Sequence, residues 1–130
     1  MKFLSQAVKP RASVFDKARR DIVLDVTNLI EDKIQPEVFF AENYITHGMA
    51  HLYQAVMMRL EGKSDDGVYL LSQSMGGGKT HNLITLGLLA RFPEYRDKVM
   101  GKVYSTSLTE PVKVIGFTGR ENRPLESGAI

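Results

Sequence analysis

Near the middle of the chain stands the run GVYLLSQSMGGGKTHNLIT, residues 67 to 85. Three consecutive glycines, Gly76, Gly77 and Gly78, lead into Lys79 and Thr80, with apolar residues on either side. Such a run has the parts to hold a phosphate. Glycines let backbone N–H groups close on an anion, because no side chain blocks the approach and because some positions need φ > 0. A helix that begins at once adds the partial positive charge of its N-terminus. A lysine can then reach the β- and γ-phosphates, while the next Ser or Thr hydroxyl holds Mg²⁺. This spacing assigns a nucleotide phosphate loop to Gly76, Gly77, Gly78, Lys79 and Thr80, with Thr80 also the Mg²⁺ ligand. The full pattern G-x-x-x-x-G-K-[ST] wants glycine at position 73, where the chain has Gln73. What stands here is the relaxed form, with glycines at 76 and 78.

Other chemistry-bearing residues are fewer. Arg120 and Glu121 follow the second apolar run, VIGF, and in a parallel sheet the carboxyl ends of strands face the ligand. They are the candidate catalytic residues, Arg120 for phosphate and Glu121 for water or Mg²⁺; the competing reading is a surface ion pair. His81 follows Thr80 and could touch phosphate, although a first-turn polar residue is the plainer account. His47 and His51 are four apart, a helical metal spacing, but Gly48 stands where a zinc protease carries glutamate and no third ligand is visible. Asp65 and Asp66 precede the first apolar run and belong at the end of the sheet away from the loop.

Elements must position these residues. Ile22, Val23, Leu24 and Val26 form a β-prone cluster, and Asn28 can cap a brief helical turn through Lys33. Pro36 suits the first position of a short helix carrying Val38, Phe39 and Phe40. From Thr46 to Glu61, the residues Met49, Leu52, Tyr53, Val56, Met57 and Leu60 recur at three- and four-residue spacing, the mark of an amphipathic helix. Gly62 is its C-cap. Val68 to Leu71 reads as a strand buried on both faces, Leu83 to Ala90 as an apolar helix ending before Pro93, and Glu94 to Met100 as a small helix. Val112, Val114, Ile115 and Phe117 read as a second buried strand. Strand, glycine loop, helix and strand in that order make a βαβ unit with parallel strands.

The bulk numbers allow this. A chain of 130 residues suits one domain, and 43% hydrophobic with 25% charged residues is an ordinary soluble balance. A net charge of +2 is too small to argue for nucleic acid or an anionic membrane. With no cysteine, disulfides and thiolate metal sites are excluded, and nothing resembles a secretory signal or a membrane span. A cytoplasmic location is expected. The division is a basic lead-in arm over 1–20, a mainly helical segment over 21–62, and a partial nucleotide-binding domain over 63–130.

The run SMGGGKTHNLITLGLLARFPE, with FFAENYITHGM before it and VIGFTGRE after it, resembles the domain-of-unknown-function 499 family. That family comprises large prokaryotic proteins among the AAA-like P-loop ATPases. The resemblance covers about Val14 to Arg123, and GGGKTH is its most specific piece. It implies binding of ATP and Mg²⁺ at Gly76 to Thr80, and an association with phage-defence or DNA-modification loci, hence with nucleic acid only by that association. Members are typically much longer than this chain. No later apolar strand ends in an acidic pair, so the chain reads as the N-terminal portion of an ATPase, a fragment with an incomplete sheet. It is expected to bind nucleotide without turnover, hydrolysis belonging only to a longer parent, with the remainder of that ATPase or partner subunits as expected partners. The expected fold is α/β, an N-terminal helical segment plus the first βαβ unit of a P-loop NTPase core. Two rivals stand: a small-molecule kinase fragment using the same loop, and a non-catalytic module docking a protein on the Met49/Leu52/Val56/Leu60 face.

Overall fold

The computed structural model describes residues 24–72, 78–117 and 125–126, with Val8 and Phe15. Over these residues the chain is mostly helical. The helices are α1 Val26–Ile30, α2 Pro36–Glu42, α3 His47–Leu60, α4 Lys79–Arg91 and α5 Arg96–Met100, with a 3-10 turn Pro93–Tyr95 between the last two. Two short strands, β1 Ile115–Gly116 and β2 Leu125–Glu126, complete the order. The basic arm over 1–20 lies outside the described residues apart from Val8 and Phe15.

Local chemistry explains the helix ends. Asp25, in extended conformation, accepts from the Thr27 N–H at 3.1 Å and starts α1. This corrects the expected cap at Asn28: Asn28 sits inside the helix, and Val26 is its first residue rather than part of a strand. Ile22 and Val23 lie outside the described residues. Pro36 opens α2, where its missing N–H costs nothing. Thr46 caps α3 by accepting from the Met49 N–H at 3.3 Å. At the other end Gly62 takes φ 72, Lys63 N–H donates to Met58 O at 2.8 Å, and Gly62 N–H donates to Arg59 O at 3.0 Å. That pair of bonds is a Schellman motif, which needs a residue at ease in the left-handed region.

α4 is the central helix. Ile84 and Leu88 join Leu29 of α1 and Phe39 of α2 in one buried cluster, while Leu89 joins Tyr53 and Met57 of α3 and Met100 of α5 in another. A helix buried on both sides needs apolar residues around most of its circumference, which is what the run Leu83 to Ala90 supplies. The approach of α1 is close enough that a Cβ on Gly87 would stand 2.2 Å from Leu29 Cδ2. Only hydrogen fits there.

The expected strand Val68–Leu71 is extended chain without ladder bonds, and its residues Val68 and Leu70 are 91% and 87% exposed. Burial of both faces was the expectation. A strand buried on both faces needs neighbouring strands and covering helices, and among the described residues none lies against its outer face. The second expected strand is reduced to Ile115–Gly116, paired antiparallel with β2 rather than parallel with Val68–Leu71. The helical N-terminal segment therefore stands, and the parallel βαβ pairing is not formed among the described residues. No helix among them is long and apolar enough to cross a membrane.

One buried carboxylate ties a connection down. Glu61, whose side chain is 2% exposed, pairs with Lys63 at 2.7 Å and accepts from Tyr104 Oη, Thr106 Oγ1 and the Ser107 N–H. It thereby fastens the end of α3 to the segment after α5. Burial by itself would raise the Glu61 pKa, but Lys63 and the hydrogen-bond donors outweigh it and hold the carboxyl well below its ordinary range. A depressed folded-state pKa stabilises the fold above the unfolded value, about 4.3. That stabilisation is lost as pH falls from there toward the folded-state value. Glu61→Gln should lower stability at pH 7 by about 1–2 kcal/mol. It should also shrink the difference between urea unfolding at pH 7 and at pH 3; an unchanged pH difference would contradict the assignment.

Candidate phosphate-binding site

The site is built from the start of α4. Gly78 has φ 76 and ψ 17, a left-handed conformation in which a side chain is strained, and Lys79 is the first helical residue. The turn from loop to helix thus falls at the Gly78–Lys79 bond. Lys79 is half-buried, Thr80 exposed and His81 half-buried. The first turn of α4 carries no acidic residue and the helix has no side-chain cap, so its leading N–H groups and partial positive charge are suited to an anion. Gly76 and Gly77, like Gln73, lie outside the described residues.

A buried polar pair fixes this turn from behind. Asn82, 5% exposed, donates from Nδ2 to Gly78 O at 3.0 Å, alongside its own backbone N–H bond to the same oxygen at 2.9 Å. Its Oδ1 accepts from Tyr53 Oη at 3.0 Å, and Tyr53 is fully buried in α3. The amphipathic helix is thereby coupled to the left-handed glycine through one side chain. Desolvation pushes the Tyr53 phenol above its ordinary range, so it remains a neutral donor. Sequence reasoning missed this pair. The signal was an Asn four residues after a glycine that opens a helix, together with a Tyr on the apolar stripe of another helix.

His81 does not stand free. Its ring stacks on Phe39 of α2, centroids 5.0 Å apart and planes 28° apart, and its backbone oxygen accepts from Thr85 Oγ1 at 2.9 Å. Burial lowers its pKa, favouring the neutral imidazole. The other nominated residues fall elsewhere. Arg120 and Glu121 lie outside the described residues. His47 and His51 are both exposed on α3, and among the described residues no group of three or more His, Asp or Glu side chains converges to hold a metal. Asp65 and Asp66 are exposed in the turn after α3.

The arrangement brings a lysine, a hydroxyl and the leading N–H groups of a helix onto one turn, placed by a left-handed glycine and a buried amide. A family model, the DUF499 N-terminal domain, matches residues 12–111. No curated protein and no solved structure matches the chain.

Proposed function

The chain belongs to the DUF499 N-terminal domain family, and from that footing we propose that it is the ATP-binding N-terminal portion of a large prokaryotic P-loop, AAA-like ATPase. The observation that carries the reading is the passage from GGGKT directly into a 13-residue helix at Lys79, with Gly78 left-handed. Lys79 neutralises β- and γ-phosphate charge, Thr80 holds Mg²⁺, and backbone N–H groups of residues 76 to 80 cradle the phosphates. Bound Mg·ATP would supply the charge that these donors answer. The process served by the parent, in phage defence or DNA modification, belongs to the same proposal.

The exposed apolar side chains support a larger parent. Val68, Leu70, Ile115 and Phe117 all stand well out in solvent, and an open apolar cleft of about 450 Å³ lies between α1, α3, α4 and residues 112–117. In an α/β core such faces are covered by further strands and helices. Of the Met49/Leu52/Val56/Leu60 stripe of the rival docking-module reading, Met49 and Leu52 pack on the buried Tyr53/Met57/Leu89/Met100 cluster, and Val56 and Leu60 line the open cleft.

Mg·ATP should raise the thermal unfolding midpoint of the chain; a midpoint indifferent to millimolar nucleotide would count against the proposal. Thr80→Ala separates the metal from the phosphate. Because the hydroxyl serves Mg²⁺, the variant should lose roughly tenfold in ATP affinity with Mg²⁺ present and little with EDTA. An identical loss in both conditions, read by calorimetry, would remove Thr80 from the metal.

A further inference from the structure

Gly78 is held in more ways than a helix start requires. A glycine at φ 76 and ψ 17 is free to leave that conformation, since no Cβ confines it. Its carbonyl is the fixed point. Gly78 O takes the ordinary helical bond from the Asn82 N–H at 2.9 Å and a second bond from Asn82 Nδ2 at 3.0 Å. A peptide unit is planar and trans, so its C=O and N–H point in opposite directions. With Gly78 O turned into the helix, the Lys79 N–H of the same peptide is aimed out of the helix start, where a phosphate would approach.

Asn82 is itself held from α3. A carbonyl can only accept, so the atom on Gly78 O is the amide nitrogen, and the amide oxygen is left to accept from Tyr53 Oη at 3.0 Å. Tyr53 packs with Met57, Leu89 and Met100 in a buried cluster, so its hydroxyl cannot shift without disturbing that core. An asparagine inside a helix is a poor helix former, and its amide costs free energy to bury unless it is bonded. We infer that Asn82 is a positioning residue of the phosphate site: with Tyr53 behind it, it holds the Gly78–Lys79 peptide so that the N–H faces the phosphate. The inference rests on the phosphate-loop reading above. It gives Tyr53, 29 residues earlier in the chain, a share in nucleotide affinity.

The test uses the full chain with Mg·ATP as the probe. Asn82→Ser keeps a donor for Gly78 O, since a hydroxyl can bond four residues back, as Thr85 Oγ1 does to His81 O at 2.9 Å; Asn82→Ala keeps none. Both lose the bond to Tyr53, so a role confined to stability would leave their affinities alike. Asn82→Ala should bind Mg·ATP about tenfold more weakly than the native chain, and Asn82→Ser within about threefold of it. In Tyr53→Phe/Asn82→Leu the whole pair becomes apolar at nearly the same shape, which should hold the unfolding midpoint near native. Its Mg·ATP affinity should nevertheless fall about tenfold. This double variant decides the matter if the single ones fail to fold. Equal Mg·ATP affinities for Asn82→Ser and Asn82→Ala, or a folded double variant within about twofold of native, would overturn the positioning role. Lys79-dependent binding by the native chain would still uphold the phosphate site in that case. Absence of Lys79-dependent Mg·ATP binding would overturn the phosphate reading itself, and this inference with it.

Discussion

Lys79→Ala should weaken Mg·ATP binding by ten- to more than a hundredfold while leaving helix content as it is. The proposed role of Lys79 is a charge-assisted contact to phosphate, worth about 1.5–3 kcal/mol, which is that span in Kd. The fold has little to lose. Lys79 is the first residue of α4, ahead of the buried positions Asn82, Ile84 and Thr85 that anchor the helix, and alanine is a better helix former. Affinity and structure should therefore separate. Calorimetry of both chains, with circular dichroism as the control, reads the two effects independently; equal affinities would rule out Lys79 as the phosphate lysine.

The second large effect falls on stability. Arg96 is 1% exposed and faces four backbone carbonyls. Its Nε donates to Leu89 O at 2.7 Å and its Nη2 to Ala90 O at 2.7 Å and Glu110 O at 2.9 Å, while Nη1 donates to Leu108 O. Leu89 and Ala90 sit in the last turn of α4, where carbonyls lack helix partners and the dipole favours a cation. The guanidinium thus caps α4 and holds the 108–110 connection against it. Desolvation lowers the Arg96 pKa, yet the group stays charged at any working pH. Arg96→Ala would leave the buried Leu89 carbonyl without this donor, remove the bonds to Leu108 and Glu110, and leave Ala90 O only the Val112 N–H at 2.8 Å; it should cost about 2–4 kcal/mol, a large share of a small domain's stability. Arg96→Lys should recover little, since a single ammonium cannot span carbonyls arranged for a planar fork. Urea unfolding checks both; a midpoint unchanged in Arg96→Ala would contradict the clamp.

Arg96 also shows where sequence reading stops. The carbonyls it serves belong to residues 89, 90, 108 and 110, and nothing in the local run PEYRDK, residues 93 to 98, distinguishes a buried clamp from a surface cation. Glu61 is the same case: besides the nearby Lys63, its hydrogen-bond donors lie 43 to 46 residues away. Local signals fared better. The period of Met49 to Leu60, Pro36 at a helix start and Gly62 closing the helix are set within a few residues, and each is found where it was expected. Val68 to Leu71 was misread because four apolar residues in a row specify a wish for burial, and whether burial occurs depends on elements elsewhere. At the site, the start of α4 at Lys79 was legible from Gly78-Lys79-Thr80. The Tyr53–Asn82 pair behind it was not, because a contact between residues 29 apart leaves no local pattern.

The most direct measurement of the central claim is residue-resolved. In an isotope-labelled chain, backbone amide resonances of residues 76 to 80 can be followed by NMR while Mg·ATP is added. A phosphate held by those N–H groups should move the Gly78, Lys79 and Thr80 amides progressively and saturably, with the α3 amides from His47 to Leu60 nearly unmoved. If saturating Mg·ATP left the amides of residues 76 to 80 where they began, the glycine run would be a turn that precedes a helix, and the nucleotide reading would fall.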